Sequence, residues 1–221
     1  MSTTKALQLP SNIRWQHWME RWDTMQERYL VRRDERIKLL VRLVRETVCP
    51  VKRVLDLGCG TGSLMQPFLD AFPEIEMYGI DFDPVILPLA EQRLRPYGAR
   101  SRLILADLRS EGWRAQLPDT FDAVISATAL HWLTAVQLAS LYRQLSALLR
   151  SGGLFVNADH VASQQAQPEI LGAEPRSDAP GRGEAGRRGL GRFLGGVHAS
   201  TWTFRAAAGH RAGDGWVGWR G

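Results

Sequence analysis

Apolar residues recur at steps of three and four through the first fifty positions. Trp15, Trp18, Trp22, Met25 and Tyr29 form one stripe of a helix over 12–30. Ile37, Leu40, Val41, Val44 and Val48 form a second stripe over 33–48, with arginines on the opposite side. Pro50 ends that helix, because its ring disfavours the helical conformation at Cys49. From residue 51 the period changes. Short apolar runs at Val51–Leu57, Glu76–Ile80, Leu103–Ala106, Ala123–Ser126 and Leu154–Ala158 read as buried strands. Between them lie helical patterns at 62–70, 84–95 and 135–149, with a weak turn near 109–115. Thr134 is placed to cap the last helix and Gly152–Gly153 to stop it. Pro88 inside 84–95 predicts a kink or a late start.

Repeated strand–helix alternation argues an α/β fold, a Rossmann-like parallel sheet with helices on both faces. Such sheets take ligands at the carboxyl ends of their strands, near the point where strand order reverses. Three expected units follow: a helical lid at 1–50, a cofactor-binding core at 51–167 and a compositionally foreign tail at 168–221. The tail holds 13 of the 21 glycines, is rich in Arg and Ala and has few aliphatic residues. It has no repeat and no amphipathic period, so it is expected to be disordered. Gly, Arg, Ala, Pro and Trp are also what GC-rich codons yield out of frame, so a frameshifted extension past Gln167 is the working expectation.

Composition narrows the class. A chain of 221 residues with 44% hydrophobic and 23% charged residues is globular rather than disordered or fibrous. No apolar run approaches the roughly 18 residues that span a bilayer, and Met1–Pro10 lacks a signal-peptide core, so a cytoplasmic protein without membrane contact is expected. Two cysteines, Cys49 and Cys59, cannot make a four-ligand zinc site, and no metal is implied. The formal charge of +5 owes much to the tail. The arginines at 28, 32, 33, 36, 42 and 45 interleave with Glu27, Asp34, Glu35 and Glu46, which favours a solvated helix face over a nucleic-acid surface.

The chemistry concentrates in Val54-Leu55-Asp56-Leu57-Gly58-Cys59-Gly60-Thr61-Gly62-Ser63, a strand running into alternate glycines and then a helix. Glycine there allows tight turning and lets a ligand approach the main chain. The pattern is D-x-G-x-G-x-G. It departs from the dinucleotide fingerprint G-x-G-x-x-G and lacks the lysine of a phosphate loop. Asp81 ends the second strand, where a carboxylate can accept ribose hydroxyls, and Asp107 ends the third, where one can accept an exocyclic amine. The order of VLDLGCGTGSL, YGIDFDP, LADL, FDAVISATALHWL and LLRSGGLFVNA resembles a class I S-adenosylmethionine-dependent methyltransferase of the small-molecule methyltransferase-domain group.

The resemblance spans about residues 12–165 and implies S-adenosylmethionine as cofactor and a small-molecule methyl acceptor as partner. It implies that Asp56, Gly58, Cys59, Gly60 and Gly62 lie along the methionyl moiety. Asp81 and Phe82 would hold the ribose side, Asp107 and Leu108 the adenine, and Ser126, Ala127 and Thr128 the sulfonium side. It also implies two further strands, and nothing in 168–221 reads convincingly as them; Thr201–Ala207 is the best match. His131, just past the fourth strand, is the candidate base or substrate-orienting donor, with a polar rim residue as the plainer reading. Trp15, Trp18, Trp22, Tyr29, Trp132 and His160 are candidate acceptor-site residues. Cys59 has no histidine beside it, so nucleophilic chemistry is not expected of it. Three other readings remain open at this point: an NAD(P)-dependent oxidoreductase, an RNA methyltransferase and an inactive cofactor-binding fragment of low stability.

Overall fold

The computed structural model describes residues 14–29, 32–159, 205–206 and 217–218. Two antecedent helices, α1 (Trp15–Tyr29) and α2 (Arg33–Thr47), precede an alternating core. That core runs β1 (Arg53–Leu57), α3 (Met65–Ala71), β2 (Glu76–Asp81), α4 (Leu87–Leu94), β3 (Ser101–Leu105), β4 (Phe121–Ala127), α5 (Ala135–Leu148) and β5 (Leu149–Ala158). The five strands form one parallel sheet in the order β3-β2-β1-β4-β5. Strand order therefore reverses between β1 and β4, and the carboxyl ends of these two strands flank the crevice such a reversal creates.

The inner strands β1, β2 and β4 read as buried runs because helices cover both faces. On one side α2 and α3 bring Leu40, Val44, Met65, Phe68 and Leu69 onto Val54, Met77 and Val156. On the other, Trp113 and α5, through Leu141 and Leu145, pack on Leu55, Ile80, Val124 and Phe155. Trp113 is fully enclosed and spends its indole N–H on Gln144 Oε1 at 2.8 Å.

Several boundaries differ from the periodicity. The helix expected from residue 62 begins at Met65, because residues up to Leu64 complete the glycine turn. The helix expected over 84–95 starts late, at Leu87, so that Pro88 sits in its first turn, where its missing N–H costs nothing. The third strand lies two residues earlier than its apolar run, at Ser101–Leu105, since an edge strand tolerates Ser101 and Arg102. No helix links β3 to β4; turns do, and they include the weak turn expected near 109–115. Thr134 does cap α5, in a reciprocal box with Gln137. After Leu149 pairs with Phe121, the β5 register skips to Leu154 opposite Ala123, leaving Gly152–Gly153 in a bulge rather than at a helix stop.

In the segment with the unusual composition, the described residues form one two-residue antiparallel pair, Arg205–Ala206 with Val217–Gly218. That pair overlaps the Thr201–Ala207 expectation but forms its own small sheet. The remainder of 168–221, on which the disorder and frameshift expectations rest, lies outside the described residues.

Candidate cofactor and acceptor site

At the end of β1 the chain has to reverse against β2, and its hydrogen bonds show how. The N–H groups of Gly58 and Cys59 both donate to the Ile80 carbonyl, at 2.8 and 2.9 Å, and Gly62 N–H returns to the Cys59 carbonyl at 2.8 Å. Gly58 has φ of +70°, and a Cβ there would stand 2.3 Å from Ala129 Cβ, which forces a residue without a side chain. Gly60 also has positive φ, at +54°, but no described atom lies within 4 Å of where its Cβ would point. Gly58 is glycine because the loop after β4 presses on it. Gly60 borders open space.

Two acids frame that space. Asp81 accepts the Gly60 N–H on Oδ2 at 2.8 Å and the Asp83 N–H on Oδ1 at 3.0 Å, which fixes its carboxylate at the tip of β2. Asp56 is 1% exposed, and its Oδ2 has no hydrogen-bond partner among the described residues. Burial, and secondarily the nearby Asp81 charge, push the Asp56 carboxyl up to about 8. A buried oxygen with no partner costs free energy unless something else satisfies it. Thr61 Oγ1, 1% exposed, is in the same condition. Cys59 is buried, and burial drives its thiol well above the ordinary range, which suits a packing residue rather than a nucleophile.

The remaining residues expected near a cofactor divide. Asp107 is gripped by Arg109, whose Nε and Nη2 lie 2.7–2.9 Å from its carboxylate oxygens, and the Arg109 N–H adds a further bond. This bidentate pairing holds the Asp107 carboxyl below its ordinary range. The same guanidinium lies over the exposed ring of Phe82, 5.7 Å from its centroid, so Phe82, Arg109 and Asp107 form one stack. Leu108 packs against the core beside them. Ser126 is fully buried, and its hydroxyl donates to the Leu57 carbonyl at 2.8 Å, joining β4 to β1 rather than facing outward. Ala127 is half-buried, and Thr128 turns the chain with φ of +52° while its N–H donates to the Ala158 carbonyl at 3.1 Å.

On the acceptor side, His131 follows in a short 3₁₀ turn, Leu130–Trp132. Its backbone N–H donates to Asp159 Oδ2 at 2.9 Å, and its ring Nδ1 lies 2.8 Å from Asp159 Oδ1. The Asp159 side chain is 4% exposed and that of His131 37%. Trp132 is largely exposed, its ring 5.1 Å from the imidazole. The α1 aromatics are not brought to this edge as a buried face: Trp15 and Trp22 are half-buried and Trp18 is exposed beside Arg21. Instead α1 is tied to α4 and α2 through Asp23, which meets Arg93 at 2.8 Å and Arg33 at 3.9 Å. A cleft at the start of α1, lined by Arg14, Trp15, Gln16, His17 and Glu20, shares no residue with the glycine turn. The Tyr29 side chain and all of His160 lie outside the described residues. Among the described residues no group of three or more His, Cys, Asp or Glu is arranged to hold a metal ion.

Two features here escaped sequence reasoning. Asp159 was visible only as the neighbour of His160, because its bond to His131 spans 28 positions. Gly79, in the middle of β2, leaves room for Met65 Sδ and Cys59 Sγ, which would lie 2.6 and 2.9 Å from a Cβ there. A glycine inside an otherwise apolar strand was the available signal for such a close approach.

A parallel sheet reversing at a glycine turn, with acids at its tips and a bare main-chain surface at Gly60, defines a nucleoside-cofactor fold. Residues 54–153 match the family model described as a methyltransferase domain. A malonyl-[acyl-carrier protein] O-methyltransferase of Anoxybacillus flavithermus is 33% identical over 109 residues, covering 48% of this chain and 40% of that protein. A trans-aconitate 2-methyltransferase of Methylobacterium nodulans is 33% identical over 136 residues, covering 61% of this chain and 48% of the relative. Among solved structures, S-adenosylmethionine-bound CalS10, an aminopentose methyltransferase from Micromonospora echinaspora, superposes with a TM-score of 0.53 at 29% identity. That match covers 68% of this chain and 59% of CalS10. The chain thus spans less than half the length of these two curated relatives. Residues 54–153 thus read as a methyltransferase domain of the S-adenosylmethionine-dependent kind, and the dinucleotide reading is set aside in its favour. The unpartnered Asp56 oxygen and the open surface at Gly60 fit such a cofactor. No helix among the described residues is long and apolar enough to cross a membrane.

Proposed function

We propose that this chain transfers a methyl group from S-adenosylmethionine to an oxygen of a small-molecule acceptor in the cytoplasm. The observation that carries this reading is the buried, unpartnered Asp56 oxygen together with the open space at Gly60. When bound, S-adenosylmethionine supplies an electrophilic methyl carbon. The protein's part is to align the acceptor at about 3 Å and exclude water.

In this reading Gly58, Gly60 and Gly62 present main chain to the methionyl portion, with Cys59 packed behind them, while the unpartnered Asp56 oxygen takes a hydrogen bond from its amino group. Asp81 keeps a lone pair on each oxygen for the ribose hydroxyls after serving Gly60 and Asp83. Phe82 and Leu108 flank the adenine, and an amine reaching Asp107 shares or displaces the Arg109 guanidinium. Ser126 holds the β1–β4 crevice at fixed width, and Ala127 and Thr128 border the transferring methyl. His131 and Trp132 face the acceptor. The names of two relatives, a malonyl-[acyl-carrier protein] O-methyltransferase and a trans-aconitate 2-methyltransferase, support a small oxygen acceptor. The α2 arginines Arg32 and Arg42 pair with Glu35 and Glu46 of their own helix, which supports a solvated face and not an RNA surface.

Calorimetric titration of the full chain with S-adenosylhomocysteine, and separately with NAD, tests the reading. Saturable heat with the former is expected. Heat with NAD alone overturns it.

A further inference from the structure

We infer that Asp159 and His131 form a dyad in which the buried carboxylate fixes the imidazole tautomer, leaving Nε2 as a proton acceptor over the crevice. Asp159 is thereby a positioning residue. The inference rests on the methyltransferase reading for its purpose, but its geometry stands independently.

Three observations carry it. Asp159 holds His131 at two points, with Oδ2 taking the backbone N–H at 2.9 Å and Oδ1 facing ring Nδ1 at 2.8 Å. A carboxylate can only accept, so Nδ1 bears the proton and, in the neutral ring, Nε2 carries the lone pair. The two partners also differ in burial. Asp159 is 4% exposed and His131 37%, so one end of the pair is fixed in the protein while part of the ring meets solvent. Finally, the dyad sits where the fold reverses. Ala129, two residues before His131, is the contact that forces Gly58 to be glycine, and Thr128 N–H bonds the Ala158 carbonyl just ahead of Asp159. The imidazole is therefore carried on a loop pressed against the glycine turn.

This arrangement selects the acceptor by chemistry. A carboxylate acceptor arrives without a proton and needs no base. A hydroxyl acceptor must lose one: as its oxygen forms the bond to the methyl carbon, the carbon–sulfur bond breaks and the O–H proton passes to Nε2. The Asp159 charge then faces the imidazolium so formed, the role a buried aspartate plays behind a catalytic histidine. The dyad points to a hydroxyl-bearing acceptor within the oxygen-methylating class.

Nitrogen-15 NMR of the full chain labelled at histidine tests this without needing the acceptor. Recorded at a pH where the ring is neutral, and assigned by the signal lost in His131→Gln, His131 is expected to show a protonated Nδ1 and a bare Nε2. In Asp159→Asn one amide oxygen still accepts the backbone N–H, but the amide group now donates to Nδ1, and the proton is expected to move to Nε2. S-adenosylhomocysteine affinity should change less than threefold in both variants. A bare Nδ1 in the wild type overturns the dyad, as does an unchanged tautomer in a cooperatively folded Asp159→Asn. Should that variant not fold, the wild-type tautomer alone decides. Failure of the wild type to bind S-adenosylhomocysteine, with the tautomer as expected, would instead count against the methyltransferase reading and leave the dyad standing.

Discussion

Two aspartates stand at opposite ends of the same sheet, and the protein treats them differently. Asp122, entering β4 at its amino end, accepts the backbone N–H groups of Lys52 and Arg53 at 2.7 and 2.8 Å and an ion pair from Arg150. Burial disfavours its charge, but the Arg150 bond and the two backbone donors prevail and hold its carboxyl below the usual range. Asp56, near the carboxyl end of β1, has an oxygen with no partner among the described residues, and its carboxyl is pushed up to about 8. One end of the sheet satisfies its own charge, whereas the other leaves a carboxyl oxygen without a partner among the described residues. In the proposed reading, stability is concentrated at the first and recognition at the second.

The contrast can be broken at either end. The largest effect is expected at the satisfied one. Asp122→Ala strands the Arg150 guanidinium and two backbone donors, and should cost about 3 kcal/mol in a urea melt. S-adenosylhomocysteine affinity, measured well below the midpoint, should stay within threefold, and a large loss of affinity would erase the division between the two ends.

At the open end, Gly60→Ala puts a methyl group into empty space on a backbone of positive φ. The expected stability cost is about 1 kcal/mol. The expected loss of S-adenosylhomocysteine affinity by calorimetry is about 100-fold, or about 2.7 kcal/mol. Comparable losses of stability and affinity would place Gly60 in the scaffold rather than at the site.

Asp56→Asn sharpens the contrast through pH. The unfolded carboxyl titrates near 3.8 and the folded one near 8. Between those values the native state binds more protons, so wild-type stability falls as pH rises from 4 to 8. Asparagine removes this slope, and by pH 8 the variant should be the more stable. Parallel wild-type and variant melting curves across that range would show that Asp56 is not held protonated. The smallest effect is expected from Trp18→Ala. With its ring 52% exposed, the unfolding free energy should move by no more than about 0.5 kcal/mol. A loss above 2 kcal/mol would mean that the ring packs as the helical stripe implied.

Much of the fold follows from periodicity because buried parallel strands read as nearly continuous apolar runs, as do Val54–Leu57, interrupted by Asp56, and Ala123–Ser126, ending in Ser126. The edge strand Ser101–Leu105 was displaced in the sequence reading because exposure on one side admits Ser101 and Arg102. In α1, the regular spacing of Trp15, Trp18 and Trp22 marks a helix face but not what covers it. At the candidate site, Asp56, Gly58, Gly60 and Asp81 were legible because a glycine turn after a strand is a local event. Asp122 and Asp159 were not, since each works through partners 28 or more positions away. Nor does a sequence show that Ser126 turns its hydroxyl into the sheet or that Arg109 already occupies Asp107.

The Thr134–Gln137 cap has a consequence for the residue three places before it. The span from Thr128 to Thr134 is pinned at its start to Ala158, at its middle to Asp159 and at its end by that cap. Connecting segments ordinarily wander on the nanosecond scale, yet this one is stapled along its length. Its amide order parameters should match those of the neighbouring strands, at about 0.85. A histidine borne on so stiff a mount arrives at each encounter already aimed.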